Sequence, residues 1–471
     1  MPGAAARVAA IATLTALLDG CVHVPTVPEP MTTDVASQVN VKGAHGALSQ
    51  RDANALLKRL AAQAPDAGVL ERHLAVEQRV AGTPLYTGNR VSVLRDGPQS
   101  FAAIFAAIHG ARQYLYLEYY IFEEVQSGGE QLSDLLIARA REGVHIDVLY
   151  DSVGSLSTPR EFFDRLSQAG IHVQAFNPLN PLTPHFSVND RDHRKLLLAD
   201  GRLAIIGGVN LSADYESSPS GPGSGASDQR PAGQPAPGHE PWHDTDLQIE
   251  GPAVHELQAL YEQHWRQQDG EASALVGVDG TPPPTAPGDQ VVRIIGSQAG
   301  GRLSPRYYAT LLSSIRSAST RIDVTAAYFA PTRQESQALL HAARRGVTVR
   351  LLLPSHSDSQ AALAVQHAHY GPLLHAGCEI YERQDGILHS KTVVADGVWS
   401  IVGSSNFDHR SVLFNDEIDA VVIGSRTGAQ LEGLFEDGVG HAQRIAAEVW
   451  SHRPLSQRLR ERFWLLWEAL L

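Results

Sequence analysis

Two stretches of this sequence carry residues that could perform phosphoryl-transfer chemistry, and they are near copies of each other. The first, HRKLLLADGRLAIIGGVN, covers residues 193–210, and the second, HSKTVVADGVWSIVGSSN, covers residues 389–406. The polar landmarks recur at one fixed offset, which indicates an internal repeat and two related structural units. These landmarks are His193 and His389, Lys195 and Lys391, Asp200 and Asp396, Gly207 and Gly403, and Asn210 and Asn406.

Lysine usage singles out the same two stretches. The chain has 34 arginines but only four lysines, at positions 42, 58, 195 and 391. A lysine ammonium directs one compact charge at one oxygen atom, whereas the planar guanidinium of arginine needs more room. The two motif lysines are therefore candidates for binding the oxygens of a phosphate group.

The residue types of the motifs suit a two-step transfer through a covalent intermediate. One histidine can attack phosphorus, while the other protonates the leaving oxygen and later deprotonates the acceptor. Two lysines and two asparagines can hold the non-bridging oxygens as charge develops on them, which is work that many phosphoryl-transfer enzymes assign to a metal ion. This chemistry requires neither a metal nor a cofactor.

The motif aspartates have a different interpretation. Asp200 and Asp396 are each followed by glycine and flanked by apolar runs, and Asp-Gly in that setting is a strong signal for a hairpin turn. We therefore predict that both aspartates form turns and are not catalytic.

The whole pattern, HxK followed by Asp and then by Gly-[Gly/Ser]-x-Asn, twice in one chain, resembles the phospholipase D superfamily. Within it the chain most resembles the bacterial cardiolipin synthase branch. The likeness begins near Gly88 and continues to the C-terminus. Supporting stretches are GNRVSVLRDG, LEYYIF, AAYFAP, WHDTDLQIEG and FNDEIDAVVIG.

The resemblance implies roles for individual residues. It makes His193 the nucleophile and His389 the general acid and base. An acidic residue seven positions before a glycine orients the motif histidine in this family, which assigns Asp244 to His193 and Glu417 to His389. The second motif has Ser404 where the first has Gly208, so a hydroxyl contact to phosphate is expected on one side only.

The resemblance also implies the reaction: phosphatidyl transfer through a phosphohistidine, with cardiolipin formation from two phosphatidylglycerol molecules as the favoured outcome. Water as the acceptor would make the protein a hydrolytic phospholipase D, and both outcomes use the same groups. A metal-independent nuclease and a non-catalytic lipid-binding protein are two further hypotheses. A net charge of −13 and a pI near 5.9 argue against a nucleic-acid partner, and the oligomeric state is left open.

The fold class that this resemblance implies is α/β. Strands alternate with helices, and glycines follow the helices, as in a mainly parallel sheet flanked by helices. We predict two phospholipase D-like domains, at residues 86–267 and 290–471, related by a pseudo-twofold with the active site between them. The low-complexity stretch 217–241 is predicted to be a flexible insertion, and residues 268–289 the linker.

The N-terminus has the features of an exported protein. Residues 1–21 combine Arg7, an apolar run from Val8 to Leu18, and Cys21, which predicts a secretory signal with a lipidated cysteine. The alternative is an uncleaved apolar helix. The prediction is a bacterial cell-envelope lipoprotein on the periplasmic side, with a tether at 22–48 and a helix that begins after Ser49 and ends before Pro65.

Several further residues have two possible roles. Tyr119 and Tyr328, with their neighbours Tyr120 and Phe329, end strands near the expected pocket, so they either contact substrate or pack in the core. The C-terminal stretch RPLSQRLRERFWLLWEALL is amphipathic, so it either lies at a phospholipid membrane or packs on the second domain. A stretch with several histidines (His356, His367, His369 and His375) is not favoured as a metal site.

Overall fold

The computed structural model describes residues 24–27, 39–180, 187–216, 240–268, 285–299 and 306–470. The predicted signal segment and Cys21 lie outside the described residues. So do most of the low-complexity insertion 217–241 and most of the linker 268–289.

The N-terminal segment contains two short strands and two helices, and it is followed by the first repeat. The N-terminal elements are β1 (Val41–Gly43), β2 (Gly46–Ala47), α1 (Gln50–Ala61) and α2 (Ala67–Ala81). The first repeat comprises β3 (Leu85–Arg95), α3 (Asp96–Gly110), β4 (Tyr114–Tyr119), β5 (Gln126–Ser127), β6 (Glu130–Gln131), α4 (Leu132–Arg141), β7 (His145–Asp151), α5 (Arg160–Gln168), β8 (His172–Phe176), β9 (Arg191–Asp192), β10 (Lys195–Ala199), β11 (Leu203–Gly207), β12 (Trp242–His243), β13 (Thr245–Glu250) and α6 (Val254–Gln267).

The second repeat follows the same order and adds a C-terminal helical segment. Its elements are β14 (Gln290–Ser297), α7 (Arg306–Ser317), β15 (Arg321–Thr325), α8 (Arg333–Arg344), β16 (Thr348–Pro354), α9 (Gln360–His375), β17 (Glu379–Arg383), β18 (Ile387–Leu388), β19 (Thr392–Ala395), β20 (Trp399–Gly403), α10 (His409–Leu413), β21 (Asn415–Ile423), α11 (Ser425–Gly440), β22 (Ala442–Arg444), α12 (Ala447–Ser451) and α13 (Leu455–Trp464). A 3₁₀ segment, Leu465–Leu470, continues from α13.

Each repeat builds a seven-stranded sheet with the same strand order, and the expected α/β class with helices flanking the sheets is confirmed. The orders are β8-β7-β4-β10-β11-β13-β3 and β17-β16-β15-β19-β20-β21-β14. Pairing is mixed: the first three strands of each order are parallel, and the remaining pairs are antiparallel. The motif strands β10 and β20 are buried along their full length, which explains why they have apolar runs instead of alternation.

The two sheets are joined edge to edge and share a core. Strand β3 pairs antiparallel with β14, as a twofold relation between the repeats requires. One apolar cluster contains side chains from both sheets together with α6, among them Leu196 and Ile206 of the first repeat and Val402 and Ile418 of the second. The two motif hairpins are therefore fixed relative to each other by packing.

The described part of the N-terminal segment contacts both repeats. Val27 exchanges backbone hydrogen bonds with the side chain of Gln334, and β1 pairs with β3. The predicted tether is therefore wrong for residues 24–27 and 41–47. The predicted N-cap is confirmed, since Ser49 accepts a hydrogen bond from the Asp52 amide at the start of α1.

The motif aspartates form the predicted turns. Asp200 and Asp396 have φ values of 52° and 54°, a left-handed conformation that asparagine and aspartate tolerate better than most residues. The Asp396 carboxylate accepts the backbone N–H groups of Ser319, Thr320 and Arg321. Each aspartate thus ties its hairpin to the loop before the neighbouring strand.

Replacing Asp396 with alanine should lower the free energy of unfolding by about 2–4 kcal/mol, because several hydrogen bonds to one half-buried carboxylate are lost. Chemical unfolding followed by circular dichroism measures the change. Asp164→Ala is the control, since Asp164 is an exposed residue with one loose ion pair to Arg160. A catalytic role would instead appear as lost turnover with an unchanged unfolding midpoint.

Candidate active site

The two motifs meet at one cavity with a volume of about 300 Å³. His193 and Asn210 of the first repeat line it together with His389 and Asn406 of the second. The other lining residues are Tyr120, Ile121, Arg191, Tyr215, Trp242, Tyr328, Ala330, Asp358, Ser359, Ala362, Asp408, Arg410, Asn415 and Leu470. The structure thus brings both candidate catalytic histidines to one site.

Two short parallel bridges position the histidines. Strand β9, just before His193, pairs with the start of β21, and the His193 amide donates to the Asp416 carbonyl over 2.9 Å. Strand β18, just before His389, pairs with β12, and the His389 amide donates to the His243 carbonyl over 2.7 Å. Each histidine backbone is therefore held by a strand of the opposite repeat.

The carboxylate partners of the histidines are crossed between the repeats. Glu417 lies 3.0 Å from Nδ1 of His193, and Asp244 lies 2.7 Å from Nδ1 of His389. The expected pairing of Asp244 with His193 and of Glu417 with His389 is therefore wrong. The physical reason is the two parallel bridges, which carry the residue before each acid to the histidine of the other repeat.

The difference between Gly208 and Ser404 follows from the two acids. A Cβ atom at Gly208 would lie 2.1 Å from Oδ1 of Asp244, so the first repeat has no room for a side chain there. The Ser404 hydroxyl donates to Glu417 over 2.5 Å and is fully buried. The expected contact of Ser404 with phosphate is wrong, because this hydroxyl positions the acid instead.

Glu417 receives further support from its own repeat. The Ser411 hydroxyl donates to it over 2.7 Å, and the Asn415 amide donates over 3.2 Å. These bonds fix the carboxylate that contacts His193, which fixes the ring orientation and leaves Nε2 free. The glycines Gly207 and Gly403 are likewise structural, since a Cβ at either would lie within 2.2 Å of the carboxylate of Asp246 or Asp419.

The motif lysines lie buried beside their histidines. The Lys195 ammonium donates to the His193 carbonyl over 2.6 Å, and Lys391 donates to the His389 carbonyl over 2.5 Å. Burial lowers the pKa of Lys195 to about 7 and that of Lys391 to about 8. An anion in the cavity would favour the protonated form of both.

The histidines and their acids titrate in the same environment. Burial, followed by the charges of both lysines, lowers the pKa of His193 and of His389 well below the usual range, so both imidazoles are neutral at neutral pH. Burial raises the pKa of Glu417 and of Asp244 to about 7. Protons in this cluster can therefore redistribute when a charged substrate enters.

The asparagines are positioned by neighbouring polar groups. The Asn210 carbonyl accepts the Ile121 amide, and its amide donates to the Tyr215 hydroxyl over 3.4 Å. Tyr215 in turn lies 2.9 Å from Nδ1 of His389. Asn406 Oδ1 is buried without a hydrogen-bond partner, which leaves this side chain able to bond a ligand.

The aromatic predictions are partly wrong. Tyr119 is 1% exposed and packs against Phe122, so it belongs to the core, whereas Tyr120 lines the cavity. Tyr328 also lines the cavity, and its hydroxyl donates to Asp358 over 2.7 Å. Because β4 is buried on both faces, its sequence contains no alternation that would separate Tyr119 from Tyr120.

A buried charge network behind His193 was not anticipated from the sequence. His264 on α6 lies 2.5 Å from Glu118 and 2.8 Å from Asp416 of the other repeat, and Arg194 lies 3.3 Å from Glu118. Burial and Arg194 oppose the charge on His264, but the two carboxylates raise its pKa to about 10. The resulting cation joins the repeats directly behind the bridge that carries His193.

Two clusters among the described residues combine metal-ligand types. They are Glu118, Asp192 and His264, and His145, Asp147 and His172. Neither cluster contributes a side chain to the cavity lining. In the histidine-rich stretch, His356, His367 and His369 each contact a different glutamate.

Sequence comparison matches the chain to proteins of one family. The family model described as "Cardiolipin synthase, PLD-like domain" matches residues 104–218 and 311–438. A probable cardiolipin synthase (YwiE) of Bacillus subtilis (strain 168) is 30% identical over 85% of this chain and 76% of its own length. Cardiolipin synthase A of Pseudomonas putida is 33% identical over 78% of this chain and 71% of its own.

A solved structure shares the fold. The phosphatidylserine synthase of Haemophilus influenzae Rd KW20 superposes with a TM-score of 0.59 at 12% identity, over 84% of this chain and 99% of that one. The two-repeat α/β architecture is that of the phospholipase D-like proteins. Within that class, the chain belongs to the cardiolipin synthase family.

The crossed pairing predicts which histidine each acid affects. Glu417→Gln should shift the ring-nitrogen resonances of His193 and leave those of His389 near their wild-type values, because only His193 loses its charged partner. Asp244→Asn should do the reverse. Nitrogen-15 NMR of ring-labelled protein measures this, with His193→Asn and His389→Asn providing the assignments. A Glu417→Gln change confined to His389 would support pairing within each repeat.

Proposed function

We propose that this protein catalyses phosphatidyl transfer through a phosphohistidine and forms cardiolipin from two phosphatidylglycerol molecules. The observation that carries the proposal is the pair of neutral imidazoles on one cavity, each with a buried carboxylate on Nδ1. Membership of the cardiolipin synthase family supports the choice of substrate.

In the first step, Nε2 of His193 attacks the phosphorus of one phosphatidylglycerol, and the bond from phosphorus to the glycerol oxygen breaks. Glu417 stabilises the positive charge that develops on the His193 ring. His389 donates a proton to the departing glycerol. The bound phosphodiester supplies negative charge that favours protonation of His389 before this step.

In the second step, His389 removes a proton from the terminal hydroxyl of a second phosphatidylglycerol, whose oxygen attacks the phosphohistidine. Cardiolipin forms and His193 is released. Lys195, Lys391, Asn210 and Asn406 stabilise the charge on the non-bridging oxygens in both steps. A hydrolytic phospholipase D would use the same groups with water as the acceptor.

The site of action is proposed to be a phospholipid membrane. None of the helices within the described ranges is long and apolar enough to cross a bilayer. We also propose attachment through a lipidated Cys21 in a bacterial cell envelope.

Product analysis with labelled phosphatidylglycerol tests the proposal. The wild-type protein should yield cardiolipin and free glycerol without added metal. His193→Asn and His389→Asn should each lose about 10²–10⁴-fold in rate or more, because a nucleophile or a general acid is removed. His109→Asn, at an exposed histidine paired with Glu130, is the matched control. Phosphatidic acid without cardiolipin would identify a hydrolase and reject the proposal.

Substrate binding should depend on pH. Free Lys195 and Lys391 lose their protons as the pH rises through about 7 and 8, while a bound anion keeps them protonated. Affinity is therefore greatest below pH 7 and falls as pH rises, by up to about tenfold per pH unit for each proton linked to binding. Calorimetric titration with glycerophosphoglycerol, a diester that does not titrate in this range, measures it. A constant affinity from pH 6 to pH 9 would contradict these lysine roles.

A further inference from the structure

The C-terminal helix α13 has its apolar side turned away from the protein. Its buried residue is Glu461, which pairs with Arg453 over 2.6 Å. Leu455, Leu459 and Phe463, spaced by one helical turn, are 69%, 57% and 55% exposed. Water-facing helices normally show the opposite arrangement, so this face is suited to another apolar surface.

The apolar face continues into the active-site cavity. In the 3₁₀ segment after α13, Leu466 is 74% exposed and Leu470 lines the cavity. An ion pair between Glu468 and His369 of α9 fixes this segment on the second repeat. The apolar side chains therefore form a path from the outer surface to the cavity.

Two other strongly exposed large apolar side chains, Leu156 and Val188, lie on loops beside residues of the cavity wall. Val188 precedes Asn189, whose carbonyl accepts a hydrogen bond from Arg410 on the cavity wall. Leu156 follows Ser155, whose hydroxyl donates to the carbonyl of Tyr120, which also lines the cavity. Among the described residues, the large apolar side chains with high exposure are Leu156, Leu179, Val188, Val449, Leu455, Leu459, Phe463, Leu466 and Leu470.

The exposed charges on α13 are positive. Arg458, Arg460 and Arg462 are exposed on α13, whereas Glu461 and Glu468 are occupied in ion pairs. The chain as a whole has a net charge of −13, so an anionic partner would be repelled elsewhere. Exposed apolar groups with adjacent arginines match the interfacial region of an anionic bilayer.

We infer that α13, the following 3₁₀ segment and the rim loops at residues 156 and 188 form a bilayer-docking surface around the cavity mouth. This surface would place the cavity against anionic lipid headgroups, so that a phospholipid enters without crossing water. The inference deepens the proposed function, since it concerns how a membrane lipid reaches the same site.

Vesicle co-sedimentation of the full chain tests the surface. All proteins carry Cys21→Ser, so that no acyl anchor differs between them. Leu459→Asp with Phe463→Asp should lower partitioning onto vesicles of mixed phosphatidylglycerol and phosphatidylcholine by at least about tenfold, because apolar area is lost and negative charge added. Leu459→Asp alone is compared with Gln457→Asp as its matched control, since each adds one negative charge to α13 and only Leu459→Asp adds it on the apolar face.

Arginine variants test the charge component. Arg458→Gln and Arg462→Gln should each weaken binding about fivefold on vesicles that contain phosphatidylglycerol, and should have little effect on pure phosphatidylcholine vesicles. Arg426→Gln, at an exposed arginine paired with Asp289, is the control. Equal effects on both vesicle types would show that the arginines do not act through the anionic headgroup, which would contradict this part of the inference.

A soluble substrate separates this inference from the proposed function. Turnover of monomeric dihexanoyl phosphatidylglycerol should be unchanged in the Leu459 and Phe463 variant, while turnover on vesicles falls. If the wild-type protein turns over neither substrate, the proposed function fails and the binding data still test the surface. The inference is overturned if these variants bind vesicles like the wild type, or if their only effect is to dissociate a dimer.

Discussion

The structure depends on one reciprocal interaction: each repeat supplies the carboxylate that holds the histidine of the other. Glu417 contacts His193 and Asp244 contacts His389. The short bridges β9–β21 and β12–β18 impose this exchange, since each delivers a histidine backbone to a strand of the opposite repeat. Edge pairing of β3 with β14 and the shared core then hold the repeats in the one arrangement in which both contacts form.

Burying so many charged groups has an energetic cost that the site offsets by pairing. Burial brings the pKa of Lys195, of Glu417 and of Asp244 to about 7. Such groups exchange protons with little free-energy change at neutral pH. The buried cation His264 stabilises the same junction from behind, because it bridges Glu118 and Asp416 across the repeats.

Much of the site could be predicted from the sequence because it is encoded locally. The motif strands and the turns at Asp200 and Asp396 follow from short-range patterns, and the convergence of the two repeats is predicted from the internal repeat and the family resemblance. The crossed pairing could not be predicted, because the offset of seven positions from Glu417 to Gly424 fixes a place within a strand but not the histidine opposite it. Tyr119 and Tyr120 could not be separated for a similar reason, since a fully buried strand shows no alternation. The contact between Val27 and Gln334 could not be predicted either, because the two residues lie 307 positions apart in the sequence.

The different fit of Gly208 against Asp244 and of Ser404 against Glu417 bears on how the duplicated motifs can evolve. Recombination that copied the first motif alone into the second position would remove the Ser404 hydroxyl that donates to Glu417. The reverse exchange would force a side chain into the space of the Asp244 carboxylate. Each motif must therefore be inherited together with the acid of its own repeat. The two halves of the gene can diverge from each other, but exchange of sequence between them cannot freely make them alike.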